Sequence, residues 1–175
     1  MNLFKQKIAG FIIRNKFHKR SFKNQSFASV INNANRFLIL MPEDENDFQH
    51  ALNVLEHFEQ NKKDFFILTN DFRVSTLPFK YRAKTISHGI KDINKIDLPS
   101  KKYISILEKK EFDAVIDLNR KEELFYIYVA CAVNAVVSIG FTKNLADKIY
   151  NLQIANSETN PKLSYENLLS CLKML

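Results

Sequence analysis

Several short stretches of this chain are apolar almost without a break: Arg36 to Met41 (RFLILM), Asp64 to Thr69 (DFFILT), Asp113 to Leu118 (DAVIDL) and Val136 to Ile139. A strand with one wet face alternates polar and apolar residues. An unbroken run is covered on both faces, which is the condition of a parallel sheet between two helical layers. Helical patterns fill the intervals. Asp44 can cap a helix in which Phe48, Leu52, Leu55 and Phe58 recur at three- and four-residue steps. Its first turn is crowded with acids, where the helix dipole favours them. Pro99 opens a helix reaching Lys110, with Tyr103, Ile106 and Leu107 on one face, and Leu124 to Val133 is apolar nearly all round, the mark of a buried helix. Ala83 to His88 and Leu152 to Ile154 read as short strands, Ala146 to Tyr150 and Ser164 to Leu175 as helices, and residues 70 to 83 and 90 to 98 as irregular. The alternation predicts an α/β fold: one Rossmann-like three-layer domain over residues 31–175, with a mostly parallel sheet and right-handed crossovers. Its 175 residues are enough for a full hydrophobic core. Ligands of such sheets bind outside the carboxyl ends of the strands.

Charge sets residues 1–30 apart. Up to Pro42 the chain carries eight basic residues, Lys5, Lys7, Arg14, Lys16, Lys19, Arg20, Lys23 and Arg36, and no acid. The remaining 18 basic and 19 acidic residues nearly cancel, so the net charge of +7 belongs to this arm. Such asymmetry bears on partners rather than on fold. Phe4, Ile8, Phe11 and Ile12 at helical spacing predict a basic amphipathic N-terminal helix. The run Ile8 to Ile13 is too short for a signal peptide or a membrane span. Three placements fit: docking on the chain's own domain, lying on an anionic membrane surface with Lys5, Lys7, Arg14, Lys16, Lys19, Arg20 and Lys23 at the headgroups, or contacting RNA phosphates. A protein complex is the other partner such an arm can recruit. The expected location is the cytoplasm, at the inner face of the membrane if the helix seats there.

Several chemistries have no support. Three glycines, Gly10, Gly89 and Gly140, cannot build a phosphate loop. Cys131 and Cys171 each sit in an apolar run and read as two buried thiols of a reducing compartment. His18, His50, His57 and His88 lack metal-ligand spacing, Ser138 and Ser164 lack a nucleophile's context, and the lysine pairs at 62–63, 101–102 and 109–110 read as solvated. No metal or cofactor is expected.

RFLILMPEDENDFQHALNVLEHF resembles the first strand, loop and helix of glycosyltransferase family 9, the lipopolysaccharide heptosyltransferases. FDAVIDLNRKEELFYIYVACAVNAVVSIGF resembles that family's later strand, helix and Ile-Gly-Phe turn. The resemblance covers roughly residues 36 to 141, and short bacterial proteins of the Bacteroidetes type share the pattern. It implies one Rossmann-like half of a two-lobed GT-B enzyme. By position, the family's catalytic aspartate falls on Asp47, the glycine before it on Asn46, and the arginine of its Arg-Pro on Met41, while Pro42 is kept. Asp117, Leu118 and Asn119 keep the later strand's ending, Arg120 replaces the following glycine, and Ile139, Gly140 and Phe141 are kept.

The resemblance therefore marks Asp47 as a candidate general base and Pro42, Asn46, Asp117 and Asn119 as candidate ligand-binding residues. Residue types alone give a plainer account: Asp47 as an exposed first-turn acid of the helix, and Asp117 as a strand-end acid capping the next helix. Loss of the glycine and the arginine, together with the absence of a second lobe from this sequence, favours a non-catalytic binding or assembly module on a degenerate heptosyltransferase-like scaffold. Its basic helix attaches it to a larger complex or a membrane surface. The alternatives are an acceptor-binding half of a glycosyltransferase completed by a partner chain, and an RNA- or ribosome-associated protein. A nucleotide sugar is not expected to bind the isolated chain.

Overall fold

The computed structural model describes residues 3–17, 31–145 and 149–174. The apolar runs form β1 (Arg36–Leu40), β2 (Asp64–Asn70), β4 (Ala114–Asp117) and β5 (Val137–Phe141), and the shorter β3 (Thr85–His88) and β6 (Leu152–Ile154) complete one sheet. All pairings are parallel, in the order β3-β2-β1-β4-β5-β6. The chain winds outward from β1 in one direction, then returns to β4 and winds in the other. The reversal lies between β1 and β4, where Leu40 is in register with Asp117, and a doubly wound sheet opens its crevice there.

The helices around the sheet include α1 (Leu3–Phe17), α2 (Glu45–Gln60), the single turn α3 (Phe79–Arg82), α4 (Lys101–Glu108), α5 (Leu124–Ala132) and α6 (Pro161–Lys173). Local chemistry sets their starts. Asp44 Oδ1 accepts from the backbone N–H groups of Asn46 and Asp47 to cap α2, and Ser100 Oγ accepts from Tyr103 N at 3.2 Å to cap α4. Asn160 caps α6 by accepting from Lys162 N at 2.9 Å, with Pro161 at the position where its missing N–H costs nothing. Lys62 (φ 54°) and Asn134 (φ 49°) take left-handed backbone just past α2 and α5.

Each face of the sheet has its own core. Leu38, Leu40, Leu68 and Val115 point to the layer of α1, α4 and α5. Phe37, Ile39, Phe65, Ile67 and Ile116 point to α2 and α6, which pack on each other. The all-round apolar character of α5 has a direct cause: it lies between the sheet and α1, so that only Tyr128 and Ala132 are half-buried and its other residues are buried.

The structure corrects several expectations. The domain-facing strip of α1 is Ala9 and Ile13, both fully buried, with Ile12 and Phe17 partly buried beside them. Phe4 and Phe11, expected on the apolar face, are 70% and 65% exposed. Asp47 is buried, not exposed. Asp117 makes no cap, since the N-cap position of α5 is held by Glu123, without a side-chain capping bond. Cys131 is buried but Cys171 is only partly so. Residues 70 to 83 contain a 3-10 segment, Asp71–Thr76, and the turn α3. Val136, expected to open β5, is exposed, and the strand runs from Val137 to Phe141. The basic residues Lys19, Arg20 and Lys23, the boundary near residue 30, and most of the helix expected over 146 to 150 lie outside the described residues.

Candidate functional site

At the end of β4, Asp117 is completely buried and its carboxylate receives four donors. Asn119 donates to Oδ1 from its backbone N–H at 2.9 Å and from Nδ2 at 2.8 Å. Lys143 Nζ reaches Oδ2 at 2.7 Å and Tyr150 Oη reaches it at 2.5 Å. The lysine side chain is itself only 2% exposed, so this is an ion pair with both partners out of water. Burial and the neighbouring Asp117 push the Tyr150 hydroxyl well above its ordinary range, so it stays protonated and donates. Tyr150 gets this close because Gly140, in register with Asp117 on β5, has no side chain. A Cβ there would lie 2.9–3.2 Å from the Tyr150 ring.

Asn119 spans the reversal point. Besides its two bonds to Asp117, its Oδ1 accepts from Glu43 N at 3.1 Å in the loop after β1, and its Nδ2 lies 3.4 Å from the carbonyl oxygen of Met41. The crevice between the β1 and β4 ends is thus bridged by a side chain of the protein itself. Pro42, in the same loop, is buried, and Asn46 is exposed in the first turn of α2.

On the other face, Asp47 meets Arg120. The guanidinium approaches Oδ1 from both Nε and Nη2 at 2.8 Å. Its third nitrogen reaches the carbonyls of Glu158 and Thr159 and Ser164 Oγ, each at 3.3 Å. Arg120 therefore ties the start of α2 to the start of α6. Burial pushes the Asp47 carboxyl up and Arg120 pulls it down, with burial the larger effect. Tyr165 Oη donates to the carbonyl of Leu118 at 2.6 Å and closes the same corner.

More open groups line the rim. Glu123 is raised to about 6, first by burial and then by the nearby Glu43, and Glu43 is itself raised by burial and held back by Arg73. Arg73 donates to the Glu43 carbonyl at 2.9 Å and pairs with Glu45. Lys121 pairs with Asp44 at 2.8 Å. Among the described residues, no group of three or more His, Cys, Asp or Glu side chains comes together as a metal site.

The structure thus brings Pro42, Asp47, Asp117 and Asn119 to one edge of the sheet, Asn46 beside them on the solvent side. It also adds three residues that the sequence reading did not select, Arg120, Lys143 and Tyr150. Arg120 was visible only as a departure from glycine. Lys143 and Tyr150 lie 26 and 33 residues from Asp117, and only tertiary structure joins them. Among the described residues, cavities of about 660, 600 and 220 Å³ lie elsewhere, and these three do not have Asp47, Asp117 or Asn119 in their linings.

Sheet order, parallel register and the reversal between β1 and β4 define a doubly wound, Rossmann-like domain. A glycosyltransferase family 9 structure from Veillonella parvula superposes with a TM-score of 0.59 at 16% identity, covering 81% of this chain and 42% of the other. The Escherichia coli heptosyltransferase WaaC, solved with ADP, superposes with a TM-score of 0.51 at 18% identity, covering 74% and 45%. The chain spans less than half the length of these neighbours, and at such identity the likeness is one of fold. No curated protein matches the sequence. The chain belongs to DUF6913, a family of unknown function whose model matches residues 5–175.

Proposed function

We propose that this protein is a non-catalytic binding or assembly module built on a heptosyltransferase-like scaffold and held to a larger assembly or surface through α1. The observation that carries this reading is the state of the two acids at the reversal point. Asp117 is buried against Lys143, Tyr150 and Asn119, and Asp47 is buried against Arg120. A general base must offer a free lone pair to a substrate hydroxyl within hydrogen-bond reach. At Asp117 both carboxylate oxygens are held by the chain's own donors, at Asp47 Arg120 holds Oδ1, and Asn119 bridges the crevice between the β1 and β4 ends. The groups act as a clasp joining β1, β4, β5, α2 and α6.

A second reading has its own support. The chain covers 42% and 45% of its two-lobed neighbours, which suits an acceptor-binding half that a partner chain completes. The test is sugar transfer and donor hydrolysis by the full chain, with nucleoside-diphosphate sugars and lipid A-type acceptors. Turnover at the buffer rate, with Asp47→Asn lowering stability alone, is the expected result. Transfer that Asp47→Asn abolishes without unfolding the protein would overturn the non-catalytic reading.

A further inference from the structure

The helix α1 uses only part of its circumference on the domain. Ala9 and Ile13 are fully buried against α5, Lys16 reaches Tyr128 of that helix, and Lys5 pairs with Asp97 at 3.2 Å. At 3.6 residues per turn, Leu3, Phe4, Lys7, Phe11 and Arg14 fall together in an arc of about 100° on the other side. Leu3, Phe4 and Phe11 are 74%, 70% and 65% exposed. Lys7 and Arg14 are exposed as well, and neither pairs with an acid among the described residues. Gly10 lies between the two cations along the helix, and nothing comes within 4 Å of where its Cβ would be. Leu3, Lys7, Phe11 and Arg14 also form one wall of an open groove of about 600 Å³, whose other wall includes Glu122, Leu124 and Leu145.

We infer that this outward face of α1 docks on an anionic phospholipid surface, with Leu3 and Phe11 entering the acyl boundary and Lys7 and Arg14 holding headgroup phosphates on either side of Gly10. The inference deepens the attachment reading above and rests on it. The occupant follows from charge and apolar area together. Apolar side chains of this size left in water, flanked by unpaired cations on one helical face, match an interfacial helix lying in the membrane plane. The segment up to Pro42 holds eight basic residues and no acid, so the field there attracts an anionic leaflet. An RNA backbone would satisfy the cations but leave Leu3 and Phe11 exposed. No helix among the described residues is long and apolar enough to cross a membrane, so the contact is with the surface.

The experiment is flotation of the full chain with vesicles of phosphatidylcholine alone, and of phosphatidylcholine mixed two to one with phosphatidylglycerol. The chain is expected to float with the anionic vesicles and to be released by salt. Lys7→Gln with Arg14→Gln should weaken partitioning about 30-fold, and Leu3→Ser with Phe11→Ser about tenfold or more. Both pairs should leave the thermal midpoint unchanged, because these side chains are exposed. Phe79→Ser with Ile90→Ser, at positions 85% and 93% exposed elsewhere on the surface, should leave partitioning unchanged. Failure to float with anionic vesicles overturns the inference, whether or not RNA or a protein is bound instead. Equal loss in the Phe79 and Ile90 control also overturns it. Sugar transfer by the chain would remove the non-catalytic reading and leave vesicle binding untouched, so the two failures are distinguishable.

Discussion

At the residue scale, the polar groups inside the domain fall into two kinds, and pH separates them. Asp117 and Asp47 are paired with cations. His88 is not: it is buried, its ring stacks on Phe125 with centroids 4.0 Å apart, and Nε2 lies 3.1 Å from Tyr126 Oη. Burial pushes its pKa down to about 4, against the weaker upward pull of Asp92 and Asp71. The unfolded chain takes up this proton near pH 6.5, so between those values acid favours unfolding. The stability due to a neutral His88 is full above pH 6.5 and is lost as pH falls toward 4, about 2 kcal/mol of it between pH 7 and pH 5. Glu123 has the opposite sign, because its raised folded pKa favours the folded state as pH falls through 6. The measurement is therefore a difference: urea unfolding of the wild type and of His88→Gln at both pH values. His88→Gln should lose less stability on acidification than the wild type, and parallel losses would show that His88 does not carry the effect. Little of this residue-scale pairing was legible in the sequence. Asp117 and Asn119 stood out because they end an apolar run. Lys143 and Tyr150 follow β5 with nothing in their neighbourhood to show that they turn inward.

At the element scale, the strands were legible because an unbroken apolar run has few other fates, and β1, β2 and β4 lie within a residue of where the sequence puts them. The face of α1 was not legible. Its apolar residues point both ways: Ala9 and Ile13 are buried against α5 while Leu3, Phe4 and Phe11 are exposed, and helical spacing alone does not choose between the two faces. Gly140 shows the reverse case, where a residue kept from the heptosyltransferase-like pattern has a local steric reason. A methyl group there would press on the Tyr150 ring that closes over Asp117. Gly140→Ala should cost about 1–3 kcal/mol in urea unfolding. In a Tyr150→Ala background the same glycine change should cost less, since the clash then has no partner. A neutral Gly140→Ala would mean that the ring shifts freely and that the Asp117 clasp is loosely held.

At the scale of the whole molecule, alternation of strands and helices made the doubly wound sheet readable, and the resemblance pointed to a fold that family 9 glycosyltransferase structures share. What remained hidden was how the two acids are held, because that depends on two cations, Arg120 and Lys143, and a tyrosine, Tyr150, brought from separate places in the chain. Taking two charges out of water is costly, and removing one partner leaves the other uncompensated, typically a loss of about 3–5 kcal/mol. A double-mutant cycle on unfolding free energy, with Asp117→Asn, Lys143→Met and the pair together, measures whether these two groups belong to each other. Each single change should be strongly destabilising and the double change far less than their sum, with a coupling of about 1–3 kcal/mol. Effects that add to within about 0.5 kcal/mol would contradict the account, and would leave Asp117 free to serve a ligand.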